Sequence, residues 1–478
     1  MIVTTPTDFR EILSRDAGRR LLVRQDGTPV TAGTFLATAE TIGTRLLGGG
    51  LKPGDRVLAC LENSETFLAL YAACSLAGLV VCPLDPATPP SRRAQIQREI
   101  DARQVITDPM LASLSAEPTA PPAELPAGDP HRDFVILYSS GTTGSPKGIV
   151  HTTRSLLDSA RSFATLSGLS GRSAIYHHFP MYYMAGLFNM FLCPLVAGAT
   201  IVLGPRFSPA TMVRFWDLPM RHGVNHLTLT PTMALSLTRL YRTDDRLLDH
   251  LAGYEAVIST GSILYDAVAE SFRTTFPVSL RSCYGVTEVG GSITLQSWDE
   301  ALAGPSVGRW TPDVRISVEG TAENPGEIRV HTPFMMRGYL TEGRVVSPFD
   351  DHGRFATGDL GYVSDGALFI TGRTNDAVKK GGEFVSLAAI ENLALGTPGI
   401  ADAAAVAVPD EYWGNRLVLF YVPTGGADPD GTEAALARNF DDHLRKVERP
   451  DRLIAVPWLP KTAIGKTRKA ELVARYTI

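Results

Sequence analysis

Lysine is scarce in this chain of 478 residues. Of the 45 basic residues we count only eight lysines, so the other 37 are arginines. Six of the eight fall in three short segments: Lys147, then Lys379 and Lys380, then the group Lys461, Lys466 and Lys469. A lysine ammonium is a compact charge on a flexible stem, whereas an arginine guanidinium is a rigid fork. Lysines retained in an arginine-rich chain therefore indicate specific roles for these segments.

Cysteine is also sparse, and its spacing excludes a common class of metal site. The chain has no C-x-x-C pair and no spacing typical of zinc ligands. Scattered cysteines of this kind are typical of buried thiols in a reducing compartment, which predicts a cytoplasmic protein. The five are Cys60, Cys74, Cys82, Cys193 and Cys283.

Long apolar runs and basic stripes are missing as well. No uninterrupted apolar run approaches the roughly 18 residues of a membrane span, and the first residues, MIVTTPTDFREILSR, do not read as a signal peptide. The net charge of −5 without a basic stripe argues against nucleic acid as a partner. The hydrophobic fraction of 44% predicts a globular protein with an ample core, and the length predicts about three domains or subdomains.

The order of apolar patterns predicts an α/β fold. DRVLACL and LVVCPL are typical of buried strands, and the intervening NSETFLALYAACSLAG is typical of a helix with an Asn/Ser cap, which together form a βαβ unit. Such alternation continues to about residue 290, where short strands and turns replace it. The last hundred residues again show helix and strand signals. We therefore expect a large N-terminal domain of α/β subdomains with a β-rich end, followed by a small α+β domain.

The loop YSSGTTGSPKG, residues 138–148, follows the strand-like run DFVIL. Its glycines allow several N–H groups to converge on one anion, and Lys147 adds a positive charge. The loop is not a Walker A sequence, because Pro146 precedes the lysine and Gly148 follows it. A flexible serine–glycine linker is the alternative, but the composition favours a triphosphate ligand. The candidate hydroxyl donors are Ser139, Ser140, Thr142 and Thr143.

Three later segments carry further groups suited to a nucleotide site. RSCYGVTEVGG, expected at a strand end, offers Thr287 and Glu288, and a carboxylate beside a hydroxyl near phosphates suits magnesium; alone, it would read as an ordinary turn with an exposed glutamate. FATGDLGYV places Asp359 after a Thr–Gly turn, suited to a ribose diol, and Arg373 follows fourteen residues later. PKTAIGKTRK forms a glycine turn that could bring Lys466 over a site.

Taken in order, these motifs resemble those of the adenylate-forming superfamily, which includes acyl- and aryl-CoA ligases, peptide-synthetase adenylation domains and luciferases. The matching segments are YSSGTTGSPKG, TGSIL, YGVTE, TGD, GRTND and GKTRK. The resemblance spans nearly the whole chain. It implies ATP-dependent activation of a carboxylic acid as acyl-AMP with release of pyrophosphate, followed by transfer to a thiol.

The resemblance also implies a role for each matching residue. The 138–148 loop would hold the β- and γ-phosphates of ATP, Thr287 the α-phosphate and Glu288 a Mg²⁺ ion. Residues 1–374 would form the ATP- and acid-binding domain. Residues 375–478 would form a mobile C-terminal lid that turns about Asn375 and carries the catalytic Lys466. The remaining nucleotide contacts would be Gly261, Ser262 and Tyr284 at the adenine and Asp359 and Arg373 at the ribose.

The sequence departs from the family pattern in the acid pocket. Members that bind α-amino acids usually have an aspartate where this chain has Tyr183, so an aryl or aliphatic acid is favoured over an α-amino acid. Arg281 could pair a second anionic group of the acid, although an arginine in a salt-bridged surface strand is the preferred interpretation. The expected lining is Tyr182, Tyr183, Met184, Leu187, Ser259, Arg281, Cys283 and Val286.

The acceptor and some alternatives stay open at this point. KKGGEFVSLAAIE resembles the CoA-ligase form of its segment, which favours a phosphopantetheine thiol carried by CoA or by an acyl carrier protein. Alternatives are a relative that adenylates nitrite or transfers to an amine, and an inactive relative that serves as a binding or scaffold protein. His177 and His178 are interpreted as structural, because a substrate that is already a carboxylate requires no base.

Overall fold

The computed structural model describes residues 6–116, 125–126, 128–138, 147–241, 244–297, 306–374, 377–380, 383–410, 412–425, 429–463 and 465–476. We refer to residues 6–374 as the N-terminal unit and to residues 377–476 as the C-terminal unit. The predicted boundary, 375, lies outside the described residues and stays a prediction.

The first part of the N-terminal unit alternates strands and helices. Its elements are α1 Phe9–Ser14, β1 Arg20–Val23, β2 Pro29–Thr31, α2 Ala32–Gly48, β3 Arg56–Cys60, α3 Glu65–Ala77, β4 Val80–Leu84, α4 Pro90–Glu99, β5 Ala102–Thr107, α5 Asp108–Ser115 and β6 Asp133–Tyr138. The predicted βαβ unit is present as β3–α3–β4. Helix α3 begins where the Ser64 hydroxyl accepts a hydrogen bond from the Phe67 N–H, as the sequence indicated.

The alternation continues to residue 297. The elements are β7 Gly148–Thr152, α6 Thr153–Leu166, β8 Ala174–His177, α7 Met184–Leu187, a π-helical turn Phe188–Leu192, α8 Cys193–Ala197, β9 Thr200–Leu203, a 3₁₀ turn Met212–Arg214, α9 Asp217–His222, β10 His226–Leu229, α10 Pro231–Leu240, α11 Asp245–Ala252, β11 Ala256–Ser259, α12 Asp266–Thr275, β12 Leu280–Val286, a 3₁₀ turn Thr287–Val289 and β13 Gly291–Leu295.

Short strands follow, and the chain then begins a separate α+β unit. The strands are β14 Ser306–Trp310, β15 Arg315–Val318, β16 Gly326–His331, β17 Gly338–Thr341, β18 Arg344–Val346, β19 Phe355–Ser364 and β20 Ala367–Arg373. The C-terminal unit contains β21 Ala377–Lys380, β22 Glu383–Ser386, α13 Leu387–Leu395, β23 Ile400–Asp410, β24 Gly414–Pro423, α14 Pro429–His443, a 3₁₀ turn Lys446–Glu448, β25 Arg452–Ala455 and α15 Lys469–Arg475.

Within the described residues the strands form four sheets. The largest has the order β15-β16-β19-β20-β14-β13-β12-β11-β10-β8-β9-β1-β2, and the second has the order β18-β17-β7-β6-β4-β3-β5. The C-terminal unit holds the hairpin β21-β22 and the sheet β23-β24-β25. The mixed α/β architecture with a β-rich end and a small α+β unit is as the sequence predicted.

The centre of the large sheet positions several of the predicted site residues. Strands β10, β11 and β12 run parallel to one another, and β12 then turns back into the antiparallel β13. Parallel strands place their carboxyl ends at one edge, which is where open α/β sheets bind ligands. Buried clusters of apolar side chains on both faces hold these strands in place.

Two further findings concern the predictions from composition. All five cysteines are buried and unpaired, as expected from their spacing. No helix in the described part of the chain combines the length and the apolar character that crossing a membrane requires.

Candidate active site

The carboxyl ends of three neighbouring strands bring several of the predicted groups together. Gly261 and Ser262 follow β11, and Thr287 and Glu288 follow β12. Thr232, at the start of α10, follows β10 and contacts the turn that contains Lys466. Since the three strands are parallel and adjacent, these segments meet at one edge of the sheet.

A buried carboxylate lies beside this edge. Asp359 in β19 is only 4% exposed. It accepts a hydrogen bond of 2.7 Å from the Tyr284 hydroxyl and one of 2.6 Å from the Arg373 guanidinium. The Thr357–Gly358 pair before Asp359 lies within the same strand and does not form the turn that the sequence suggested, although Gly358 has a φ of +72°. Two of the predicted nucleotide contacts thus orient the third.

Tyr284 is buried together with that carboxylate. Burial, and next the negative charge of Asp359, raise the pKa of the Tyr284 phenol well above its ordinary value. The phenol therefore stays protonated and continues to donate to Asp359 at any physiological pH. The predicted contact between the Tyr284 ring and adenine stays a prediction.

A second cluster joins Glu288 to Lys147 through a residue that the sequence did not single out. The Tyr339 hydroxyl in β17 donates to Glu288 Oε1 at 3.0 Å. The Lys147 ammonium lies 4.6 Å from the centre of the Tyr339 ring, in the geometry of a cation–π contact. Burial and Glu288 raise the pKa of Tyr339, so its hydroxyl remains a donor. Tyr339 thus contacts both the predicted metal ligand and the predicted phosphate ligand.

A buried histidine holds the backbone beside Glu288. Thr287 starts the 3₁₀ turn after β12, and its carbonyl lies 2.7 Å from Nε2 of the buried His151. Burial lowers the pKa of His151 to about 4. The ring is therefore neutral near pH 7, and its N–H can donate to the Thr287 carbonyl.

The Lys466 turn rests on the N-terminal unit. The Thr232 hydroxyl donates to the Gly465 carbonyl at 3.0 Å. Within the turn, the Lys466 N–H donates to the Thr462 hydroxyl at 3.1 Å, and the Thr462 N–H donates to the Lys466 carbonyl at 2.7 Å. Gly465 has a φ of +83°, a conformation that suits glycine. The predicted glycine turn is therefore present, and it lies at the carboxyl end of β10.

Ion pairs distinguish three lysines of the C-terminal unit from Lys466 and Lys147. Lys380, Lys461 and Lys469 form ion pairs with Asp451, Asp402 and Glu391, at 2.7, 2.7 and 2.9 Å. Among the described residues, Lys466 and Lys147 form no ion pair with a carboxylate. A lysine without a protein carboxylate is suited to an anionic ligand.

The predicted acid-pocket residues fall in neighbouring layers of the core. Met184, Leu187 and Cys283 belong to one buried cluster, against which Tyr182 packs. The Tyr182 hydroxyl donates to Asp85 at 2.7 Å. Tyr183 packs against the second cluster, and Val286 packs against the third. Ser259 is buried at the end of β11.

Arg281 corrects one interpretation drawn from the sequence. It is 8% exposed in the interior strand β12, and its guanidinium donates to the Ser297 carbonyl at 2.8 Å. It is therefore not part of a surface strand. His177 and His178 are fully buried, and burial lowers their pKa values to about 3 and about 4. Both rings are therefore neutral at neutral pH.

Several predicted residues cannot be placed. Ser139, Ser140, Thr142 and Thr143 of the phosphate loop and the hinge residue Asn375 lie outside the described residues. Tyr339, His151 and Thr232 were not identified as site residues from the sequence. The only available signal was position, because Thr232 follows a predicted strand and Tyr339 lies in the β-rich segment.

Comparison with known proteins agrees with this geometry. Residues 9–340 match the family model for AMP-binding enzymes, and residues 389–466 match that for their C-terminal domain. A sulfoacetate–CoA ligase of Cupriavidus necator is 28% identical, over 95% of this chain and 94% of that protein. An indoleacetate–CoA ligase of Aromatoleum aromaticum is 28% identical, over 98% of this chain and 99% of that protein.

A solved structure has the same fold along nearly the full length. The crystal structure of ATP-bound MatB from Rhodopseudomonas palustris has a TM-score of 0.86 and 25% identity, and it covers 98% of this chain and 99% of that one. The predicted resemblance, fold and enzyme class, an AMP-forming acid–thiol ligase, are confirmed. The chain belongs to the family of AMP-binding enzymes.

Proposed function

We propose that this protein uses ATP to convert an aryl or aliphatic carboxylic acid to its acyl adenylate and then transfers the acyl group to the thiol of CoA. The observation that carries the proposal is the position of Lys466. Its turn is hydrogen-bonded to Thr232 in the first turn of α10, the helix that follows β10, beside the segments that follow β11 and β12. Among the described residues its ammonium has no carboxylate partner.

The first step joins the acid to the α-phosphorus of ATP. A carboxylate oxygen attacks that phosphorus, the bond from phosphorus to the bridging oxygen of the β-phosphate breaks, and pyrophosphate leaves. Negative charge builds on the α-phosphate oxygens and the bridging oxygen during this step. We assign Lys466 and Thr287 to these oxygens, because preorganised donors stabilise such charge most effectively in a site from which water is excluded.

The nucleotide is assigned to the groups on either side of that point. The Asp359 carboxylate is held by Tyr284 and Arg373 and suits the two ribose hydroxyls. Gly261 and Ser262 are exposed after β11, where they would line the adenine. Lys147 and the 138–148 loop would hold the outer phosphates.

A divalent cation fits the donor set at Glu288. Mg²⁺ is commonly held by one or two carboxylates together with substrate phosphates. When bound, the ion would neutralise phosphate charge. Glu288 would be its protein ligand, and Tyr339 orients that carboxylate through the hydrogen bond to Oε1.

In the second step a thiolate attacks the acyl carbon, the bond from that carbon to the AMP oxygen breaks, and AMP leaves. The relatives named above are CoA ligases, which supports CoA as the acceptor. A carrier-protein phosphopantetheine presents the same thiol and is the second candidate. Cytoplasmic location, inferred from the buried free cysteines, belongs to the same proposal.

The acid is proposed to be aryl or aliphatic because the described residues around Tyr183 offer mainly apolar contacts. Burying an unpaired ammonium there would be costly. The test is a hydroxylamine-trapping screen of aryl acids, aliphatic acids and their α-amino counterparts, with ATP and Mg²⁺. We expect hydroxamate from at least one acid, and thioester when CoA replaces hydroxylamine. Absence of acid-dependent pyrophosphate release across the panel would contradict the proposal.

A further inference from the structure

Of the side-chain hydrogen bonds that join the N-terminal unit to the C-terminal unit, two reach either the Lys466 turn or Glu391, the ion-pair partner of Lys469. One joins the Thr232 hydroxyl to the Gly465 carbonyl at 3.0 Å. The other joins the Tyr265 hydroxyl to Glu391 Oε2 at 2.5 Å. Thr232 is the second residue of α10 and Tyr265 immediately precedes α12, so both donors come from helix starts next to the active-site edge of the sheet.

Glu391 is the centre of the second contact. It lies in α13 and is only 8% exposed. Its Oε1 accepts hydrogen bonds from the Ala405 N–H and the Lys469 ammonium, both at 2.9 Å. These two donors belong to the C-terminal unit, whereas Tyr265 belongs to the N-terminal unit. The Tyr265 bond is therefore the one that would break if the two units changed their relative orientation.

Glu391 is linked to the Lys466 segment through its ion pair with Lys469. Lys469 is three residues beyond Lys466 and is the first residue of α15. Gly465, the residue before Lys466, is held by Thr232 on the other side. Hence the chain is held on both sides of Lys466. Thr232 contacts Gly465 directly, and Tyr265 acts on Lys469 through Glu391.

We propose that Tyr265 and Thr232 are positioning residues for acyl-adenylate formation alone. This inference rests on the proposed function. They hold the Lys466 ammonium at the α-phosphate, where the attack of the carboxylate builds charge. Thiol attack on the acyl carbon of a preformed adenylate does not need an ammonium held there to expel pyrophosphate, because pyrophosphate has already left. Neither hydroxyl is required for that second step.

The test measures the two half-reactions separately in Tyr265→Phe, which keeps the ring and removes only the hydroxyl. We expect acyl-adenylate formation to slow by about tenfold, the scale on which a hydrogen bond to a charged group acts. The effect should fall on kcat, with the KM values for ATP and acid changed little. Conversion of a chemically supplied acyl adenylate and CoA to thioester should keep its rate.

Matched variants separate positioning from general damage. Thr232→Val should slow adenylation and leave thioester formation unchanged. Thr232→Ser keeps the hydroxyl and should adenylate at close to the rate of the unmodified protein. The control Thr238→Val lies on the same helix and removes only hydroxyl bonds to the Ala234 and Leu235 carbonyls. Adding Tyr265→Phe to Lys466→Ala should produce no further loss, because Tyr265 acts through Lys466.

A measurement without turnover distinguishes this inference from the proposed function. Amide hydrogen exchange in the segment 461–469 should be faster in Tyr265→Phe than in the unmodified protein, while exchange in β3 and β4 stays the same. If no acid is activated but exchange in 461–469 is faster in Tyr265→Phe, the proposed function is wrong, whereas the contact between Tyr265 and the Lys466 segment is supported. Equal slowing of both half-reactions, or unchanged rates and exchange, would overturn the positioning role.

Discussion

Tyr339 shows how one residue can connect two parts of the proposed phosphate site. Its hydroxyl orients Glu288, and its ring faces the Lys147 ammonium. Removing the hydroxyl while keeping the ring separates these contributions.

We therefore expect Tyr339→Phe to raise the Mg²⁺ concentration needed for half-maximal adenylation severalfold, because the Glu288 carboxylate loses its orienting donor. The ATP requirement at saturating Mg²⁺ should change less, since the ring contact to Lys147 remains. The measurement is a Mg²⁺ titration of pyrophosphate release, with Tyr362→Phe in β19 as the control. An unchanged Mg²⁺ requirement would contradict the role assigned to the hydroxyl.

Replacing Lys466 tests directly whether this lysine acts in adenylation alone. Lys466→Ala should slow adenylation by about 10²–10³-fold, which is typical for the loss of one preorganised donor at a developing anion. Thioester formation from supplied acyl adenylate should stay close to the normal rate. Lys446→Ala, which removes an exposed lysine from the 3₁₀ turn Lys446–Glu448 of the same unit, is the control. Equal losses in the two half-reactions of Lys466→Ala would argue against a lysine specific to the first step.

The residues of the candidate site could be identified from the sequence to different degrees. Glu288, Asp359 and Arg373 could be identified because each lies in a short motif with its own chemistry. Tyr339 could not, because its role depends on the pairing of β17 with β7, which brings it next to Lys147. His151 was missed for a similar reason, since its partner is a carbonyl 136 residues away.

At the scale of elements, the turn at 461–467 depends on close packing at one glycine. A Cβ added at Gly465 would lie 2.8 Å from the Thr232 Cβ, and the φ of +83° disfavours other residues. The sequence predicted the turn from its glycine and lysine. It could not predict what the turn rests on, because α10 is over 200 residues earlier.

We expect Gly465→Ala to reduce adenylation by at least tenfold, because the turn must move away from α10 and take Lys466 with it. Gly168→Ala is a suitable control, since Gly168 has a similar φ of +71° and open space around the position of a Cβ. Both variants are assayed for adenylation and for thermal unfolding. A comparable loss of activity in Gly168→Ala would indicate backbone strain and not displacement of the turn.

At the scale of the whole molecule, three of the buried histidines make stability depend on pH. Burial lowers the pKa of His151, His177 and His178 to about 4, 3 and 4, from an ordinary value of 6.5. Between pH 6.5 and about 4 the unfolded chain binds these protons and the folded chain does not. The free energy of unfolding therefore falls as the pH falls through this window, by about 1.4 kcal/mol per proton and pH unit.

The expected result is a lower urea midpoint at pH 5.5 than at pH 7. His178→Phe should make this difference smaller, because one proton-binding site of the unfolded chain is gone and the aromatic packing against Tyr176 and Phe215 is kept. Replacing the exposed His131 with Gln should leave the difference unchanged. The same pH dependence in His178→Phe and the unmodified protein would contradict this account.

The two apolar clusters of the C-terminal unit consist entirely of residues between 378 and 476. Among the described residues, no side chain from the N-terminal unit contributes to either cluster, and the contacts to Gly465 and Glu391 across the boundary are polar. A fragment beginning near residue 377 should thus retain a complete interior when it is produced as a separate polypeptide. Mixed with the complementary fragment, it would supply the Lys466 ammonium from a separate chain. The rate of adenylation would then depend on the concentration of the C-terminal fragment and could be measured by titrating it.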